Sequence, residues 1–286
     1  AFAVMSEHAM IAEVTAAADA PMRKISLPAR PRAVRVLSDR LCWIAEDRNM
    51  LGMVDLKHWR NLPPTRLAAP AIDLDVSPKT RIAAVTLRTG GVQLVPLDSG
   101  RPEAPIEVAP KLGGLRFRSD GKIVLIAEPN DSTLSVLDID SRSLMVRLKL
   151  ALRPERLWMK GDGGQLFITG PGVDGVAIVY PYRTEVAQTF LSGRRPGEMA
   201  DSTAPDYLFV SNPEAGSVTA FSIDTQTVAA VTGVGEQPGP IAITPDQQYA
   251  LVVNRASGDL AVIRIAAIIA GKEKRAPLFT MIPVGS

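Results

Sequence analysis

The sequence predicts an all-β fold built from repeated antiparallel sheets, and three observations lead to this prediction. The chain has 286 residues, of which 46% are hydrophobic, so it is long enough to bury a substantial core. Its apolar residues alternate with polar ones or form short runs, and they do not recur at the i, i+3, i+4, i+7 spacing of a helix. The third observation is a repeat that extends through the whole chain, which indicates a stacked architecture.

The repeat is centred on a short apolar run, which predicts the second strand of each copy. YLFVSN ends at Asn212, and its counterpart YALVVN ends at Asn254, one repeat later. Related runs end at Glu7, Asp47, Leu87, Glu128 and Gly170. Seven copies, each about 40 residues after the one before, therefore account for the chain.

Each copy contains four short predicted strands separated by turn-forming residues. IAITPDQQ precedes the run that ends at Asn254, alternating segments such as TLSVLDID follow it in other copies, and a variable segment such as TVAAVTGVG comes last. Apolar and β-branched segments bounded by Gly, Pro, Asn and Asp are typical of an antiparallel meander. Because radial stacking buries both faces of such sheets, the sequence predicts one seven-bladed β-propeller domain over residues 1–286.

The two ends of the chain predict an incomplete terminal blade. Residues 1–29 contain three of the four strands and lack the innermost one, so we expect them to form a partial closing blade. Residues 30–286 then form six further blades. A longer spacing around GKEKRAP, from Gly271 to Pro277, predicts an exposed loop in the last of these blades.

The repeated segments resemble those of the YVTN-repeat β-propellers, the YncE-like and surface-layer type. The resemblance rests on the apolar runs that end at Asn212 and Asn254, on Pro245-Asp246 before the second strand, and on the alternating strand after it. It covers the entire chain. The resemblance implies a seven-bladed propeller with a periplasmic or secreted location in a bacterium.

The composition gives no general affinity for polyanions or membranes. Lys and Arg total 32 against 30 Asp and Glu, and aromatic residues make up 5% of the chain. Neither a basic surface nor stacking aromatics are therefore indicated, and no apolar run reaches the roughly 18 residues of a membrane span. With one cysteine, two histidines and no phosphate-binding or nucleophile motif, we expect a monomer without a cofactor, a metal site, a nucleic-acid partner or membrane insertion.

A first candidate site lies in the loops that precede the innermost strands. In a propeller these loops share one face with the turns between the second and third strands, and functional residues usually lie on such loops. The segments LRPER and GRRPGE contribute Arg156 and Arg195. Because Arg binds carboxylate and phosphate bidentately, we expect an anionic small molecule or an acidic protein segment there. Alternatively, Glu155, Glu198 and Glu236 neutralise these arginines locally.

A second candidate site lies on the innermost strands. Alignment of the copies places Arg35, Asp75, Arg116 and Trp158 at one level and Arg118 and Lys160 at the next. They alternate with Leu74, Leu115 and Leu157, so we expect them to face a central channel. The cations predict an anion pocket with Trp158 as one wall. Alternatively, this is a water-filled channel whose charges are paired with Asp73 and Asp75.

These residues favour a non-enzymatic binding protein, with no residue assigned a catalytic role. One alternative is a lactonase-type hydrolase, in which Arg116, Arg118 and Asp75 supply the charged groups of a site in the channel. The other is a structural module of an envelope protein.

Overall fold

The computed structural model describes residues 2–5, 8–13, 23–268 and 277–283. In these ranges the only helical segments are two short 3-10 turns, Pro129–Asp131 and Ile265–Ala267. No helix in the described ranges is long and apolar enough to be a candidate membrane span. The chain divides into two compact units, Ala1–Arg147 and Leu148–Ser286, which are described separately.

The first unit contains four sheets. Its strands are β1 (Phe2–Met5), β2 (Met10–Glu13), β3 (Lys24–Ser26), β4 (Pro31–Val36), β5 (Arg40–Ala45), β6 (Met50–Asp55), β7 (Arg60–Asn61), β8 (Thr65–Arg66), β9 (Ala71–Ser77), β10 (Ile82–Leu87), β11 (Gly91–Pro96), β12 (Ile106–Glu107), β13 (Leu115–Phe117), β14 (Ile123–Glu128), β15 (Thr133–Asp138) and β16 (Ser143–Lys149), the last of which ends just beyond the unit. β1 to β3 form a three-stranded sheet, whereas β9 to β12 and β13 to β16 form four-stranded sheets in sequence order. In the remaining sheet, β4 to β7 pair in sequence order. The fifth strand of this sheet, β8, pairs with β6, as β7 does.

The second unit contains three four-stranded sheets. Its strands are β17 (Arg156–Met159), β18 (Leu166–Thr169), β19 (Gly175–Tyr180), β20 (Glu185–Leu191), β21 (Met199–Thr203), β22 (Asp206–Asn212), β23 (Ser217–Ser222), β24 (Thr227–Gly233), β25 (Pro238–Ile243), β26 (Tyr249–Asn254), β27 (Asp259–Arg264) and β28 (Leu278–Pro283). Consecutive strands pair antiparallel within each sheet.

The repeated meander confirms the all-β prediction, and four-stranded antiparallel sheets of this kind are consistent with a β-propeller. From the second copy onward the predicted second strands correspond to inner strands of their sheets, and β22 and β26 end at Asn212 and Asn254 as expected. In the first copy the predicted second strand is β1, which lies at the edge of its three-stranded sheet. The three strands predicted within residues 1–29 correspond to β1, β2 and β3. Most of the predicted loop around GKEKRAP, residues 271–276, lies outside the described residues.

The core lies between the faces of neighbouring sheets. All six residues of β14 are buried, because this strand has a partner on each side and apolar neighbours on both faces. Leu74, Leu115 and Leu157 are at most 3% exposed, and the polar residues with which they alternate in β9, β13 and β17 lie on the less buried side. This arrangement is the predicted two-residue periodicity of the innermost strands.

Candidate functional site

The inner-strand charges of the first unit are joined in pairs. Arg35 on β4 donates from Nε to Asp75 Oδ1 on β9 over 3.1 Å. The other oxygen of Asp75 accepts the backbone N–H of Phe117 over 2.8 Å. Asp75 therefore both neutralises Arg35 and connects β9 to the first strand of the next sheet.

Arg116 and Arg118 also have carboxylate partners, that of Arg116 on β9 and that of Arg118 in the turn that follows its own strand. Arg116 donates to Asp73 over 2.8 Å, and the same carboxylate oxygen accepts the backbone N–H of Leu115 over 3.2 Å. Arg118 donates to Asp120 over 2.6 Å, and this hydrogen bond holds the pKa of the Asp120 carboxyl below its ordinary value. A ligand role for these residues remains a prediction, but their charges are already compensated within the unit.

In the second unit, Lys160 and Trp158 also bind carboxylates. Lys160 Nζ donates to Asp162 over 2.8 Å and to Asp206 over 2.7 Å. Burial alone would lower the pKa of Lys160, but the hydrogen bonds to the two carboxylates outweigh it and raise the pKa. Trp158 donates from Nε1 to Asp201 over 2.7 Å. These contacts connect β17 and its following turn to β21 and β22.

Arg156 and Arg195, which the sequence singled out, lie together in one cavity of the second unit. We call this cavity, of about 550 Å³, the arginine cleft. Its lining combines three arginines with glutamates, one amide, prolines and glycines: Glu155, Arg156, Gly170, Pro171, Arg195, Pro196, Gly197, Pro213, Glu214, Gln237, Pro238 and Arg255.

The repeat itself builds the walls of the arginine cleft. Pro171 and Pro213 follow second strands of successive copies. Pro196 and Pro238 are equivalent residues of successive copies, Pro196 in the loop before β21 and Pro238 as the first residue of β25. Gly170 allows these loops to approach, because a Cβ there would overlap the carbonyl oxygen of Arg153. Rigid prolines and a close backbone contact therefore give the cleft a fixed shape.

Arg156 and Arg195 have carboxylate partners at the surface. Arg156 Nε donates to Glu198 over 2.7 Å, and Arg195 lies 3.4 Å from Glu214. Both arginines are well exposed, at 43% and 71% of the side chain. Arg195 has a positive φ of 53°, and its backbone N–H donates to Asp174, which fixes the loop that presents its side chain.

Among the described residues, Arg255 is the cation in the cleft that has no partner. It is exposed, and no hydrogen bond or ion pair from the described residues reaches its guanidinium. A Cβ on Gly239 would lie 2.9 Å from Arg255 Nε, so the side chain lies against the glycine backbone. The sequence places Arg255 among the turns between second and third strands that share the loop face, but it does not distinguish Arg255 as a site residue. The signal was a break in the repeat, since Pro129, Pro171 and Pro213 occupy the equivalent position in the three preceding copies.

The arginine cleft contains guanidinium, carboxylate and amide groups, which bind charged ligands by hydrogen bonds. Throughout the described ranges, no three His, Cys, Asp or Glu side chains are grouped in a way that could hold a metal ion.

Comparison with known proteins gives fold relatives only. No family model matches the chain, and no curated protein matches it. Among solved structures, the chain is similar to a functionally unknown protein from Desulfotomaculum acetoxidans DSM 771, with a TM-score of 0.79 and 14% identity over 98% of this chain and 94% of that chain. It is also similar to the hydrazine synthase of Kuenenia stuttgartiensis, with a TM-score of 0.72 and 14% identity over 88% of this chain and 86% of that chain. At this identity the likeness concerns the fold alone.

Proposed function

We propose that the chain is a seven-bladed β-propeller of the YVTN-repeat type that binds an anionic small molecule or an acidic protein segment in the arginine cleft without catalysis. The observation that supports this most is Arg255, an exposed guanidinium without a partner among the described residues, in a cavity that also contains Arg156 and Arg195.

The contacts of the other two arginines allow a ligand to compete for them. Exposed ion pairs such as that of Arg195 and Glu214 contribute about 0–1 kcal/mol. Hydrogen bonds between charged groups contribute about 1.5–3 kcal/mol when a ligand excludes water from them. A ligand carboxylate that binds Arg195 in place of Glu214 therefore gains more free energy than the displaced ion pair contributed.

The seven blades and the location are part of the same proposal. Seven copies of the repeat support seven blades, and the YVTN-like segments support a periplasmic or secreted protein in a bacterium. A ring of rigid sheets would hold the loops of the arginine cleft in place before the ligand arrives, which reduces the entropic cost of binding.

The test is titration calorimetry of the wild-type chain and of Arg255→Gln with three probes: citrate, inorganic phosphate and an oligoglutamate peptide. We expect at least one probe to bind the wild type and to bind the variant about tenfold more weakly, equivalent to about 1.4 kcal/mol. Raised salt should weaken wild-type binding.

The matched control is Arg88→Gln. Arg88 is an exposed arginine in the turn after β10, the place in its copy that Arg255 occupies after β26, and it lies outside the arginine cleft. Binding should be unchanged in this control. Equal affinities for the wild type and Arg255→Gln, or no binding of any probe, would contradict the proposal.

A further inference from the structure

A second cavity of the second unit adjoins the arginine cleft and has the opposite charge. We call this cavity, of about 600 Å³, the acidic cleft. It shares Pro213, Glu214 and Gln237 with the arginine cleft, and its charged lining residues are Glu214, Glu236 and Asp259. A positive and a negative cavity therefore lie on the two sides of one wall.

Two charges without partners in the part of the chain that the structure describes lie on neighbouring backbone segments at this wall. The N–H of Arg255 donates to the carbonyl of Gln237 over 3.1 Å, and that of Ala256 donates to the carbonyl of Glu236 over 3.2 Å. Although these segments are hydrogen-bonded, the side chains of Arg255 and Glu236 do not pair with each other or with any other residue in the described ranges. One lines the arginine cleft and the other lines the acidic cleft.

A buried amide next to the acidic cleft has an acceptor oxygen without a donor in the described part of the chain: Asn254, which lies against the lining residue Gly235. Asn254 donates from Nδ2 to Asp259 over 2.6 Å, which fixes the orientation of the amide. Its Oδ1 is buried and accepts no hydrogen bond from the described part of the chain. One copy earlier, the hydroxyl of Ser192 donates to Asn212 Oδ1 over 3.0 Å, but Val234 occupies the equivalent position here and has no hydroxyl.

The charges argue against a polyanion as the occupant of the arginine cleft. Three arginines and two glutamates leave its lining with one net positive charge, and the adjoining acidic cleft is wholly negative. A second anionic group reaching past Pro213 would meet three carboxylates, and like charges in close contact cost several kcal/mol. A basic group at that point would instead compensate them.

We infer that the ligand is an extended segment of a partner protein that carries an acidic side chain for the arginine cleft and a lysine or arginine for the acidic cleft. This inference rests on the proposed function and specifies its ligand. Arg255 lies opposite Gln237, the neighbour of Glu236, so Arg255 and Glu236 are about 6 Å apart at the backbone, and an extended chain rises about 3.3 Å per residue. The acidic and basic residues of the ligand should therefore be separated by about two or three positions.

The test is selection of short random peptides displayed on phage against the intact wild-type chain, Arg255→Gln and Glu236→Gln. On the wild type we expect enrichment of peptides with an acidic and a basic residue at the stated spacing. Peptides selected on Glu236→Gln should keep the acidic residue but need the basic residue less. Peptides selected on Arg255→Gln should no longer be enriched in the acidic residue. Glu185→Gln is the matched control, since Glu185 is exposed on β20 and lies outside both clefts.

An enriched peptide is then synthesised with its basic residue replaced by glutamine, and both forms are measured by fluorescence anisotropy. Loss of the basic residue should weaken binding to the wild type about fivefold to tenfold and leave binding to Glu236→Gln nearly unchanged. Enriched peptides that contain only acidic residues would overturn this inference and leave the proposed function standing. Failure to enrich any peptide over the Arg255→Gln background would also overturn this inference, whereas the calorimetric titration with citrate and phosphate decides the proposed function separately.

Discussion

The charged side chains of this chain fall into two groups according to their partners. Arg35, Arg116 and Lys160 have carboxylate partners that also bind backbone N–H groups or second side chains, so their contacts connect neighbouring strands. Arg255 and Glu236 have no such partners among the described residues. The first group is best explained as part of the framework, and the second group is available to a ligand.

The sequence could predict where Arg35 and Asp75 lie along their strands. It could not predict which charged residues belong to the framework and which are available to a ligand. Two-residue periodicity and the repeat place both residues on the less buried side of their strands. That Asp75 accepts the N–H of Phe117 depends on how adjacent sheets are offset, which no local pattern encodes.

Lys160 provides a pH-dependent test of the framework role. Lys160→Met leaves Asp206 without its cation, and because Asp206 is only 19% exposed we expect a loss of about 1–3 kcal/mol of unfolding free energy at neutral pH. The hydrogen bond from Lys160 lowers the pKa of Asp162 below its ordinary 3.8. The stability that this hydrogen bond contributes is fully present above the ordinary pKa of 3.8, and it is lost as the pH falls through the lowered pKa of Asp162 in the folded state.

The measurement is urea unfolding of the wild type and Lys160→Met at neutral pH and at about pH 3. The difference in unfolding free energy between the wild type and Lys160→Met should be large at neutral pH and smaller in acid. Since the pKa of Lys160 is raised, the difference should persist in mild alkali. A difference in unfolding free energy that grows in acid would show that Lys160 does not stabilise the fold through its carboxylate partners.

At the level of strands and loops, the second strands were the most predictable, and the outermost strands were predictable where the chain has a run such as TVAAVTGVG, which forms β24. Continuous apolar runs such as YLFVSN identify β22, since strands with partners on both sides are buried throughout. The outermost strands of the sheets are more exposed, so single residues such as proline determine where each of these strands begins and ends. Pro63 and Pro64 separate β7 from β8, because proline has no N–H to donate to a ladder.

The loops of the arginine cleft depend on the close contact at Gly170. In Gly170→Ala the new Cβ would overlap the carbonyl oxygen of Arg153, so the backbone must move. We expect a loss of about 1–3 kcal/mol of stability, as is usual for overpacking, together with weaker binding in the cleft. Thermal unfolding and the calorimetric titration above measure the two effects.

Gly233→Ala is the control for this substitution, because a Cβ on Gly233 in β24 has no neighbour within 4 Å. Its melting temperature and affinity should equal those of the wild type. If Gly170→Ala behaves like this control, the contact does not shape the cleft.

At the scale of the whole molecule, the repeat explains both the fold and the position of the candidate site. A repeat of about 40 residues was sufficient to predict successive four-stranded meanders. The sequence could predict that Arg156 and Arg195 lie on one loop face, but not the outline of the two clefts, because their walls come from loops of different copies and part of their charge depends on single departures from the repeat. Arg255 in place of proline and Val234 in place of serine are two such departures.

The most direct test of the account is native mass spectrometry of the intact chain after gentle purification, with the wild type and Arg255→Gln prepared in parallel. The account predicts that the wild type retains a bound mass, released at high salt, which Arg255→Gln lacks at the same concentration. Spectra of the two proteins that cannot be distinguished would contradict it.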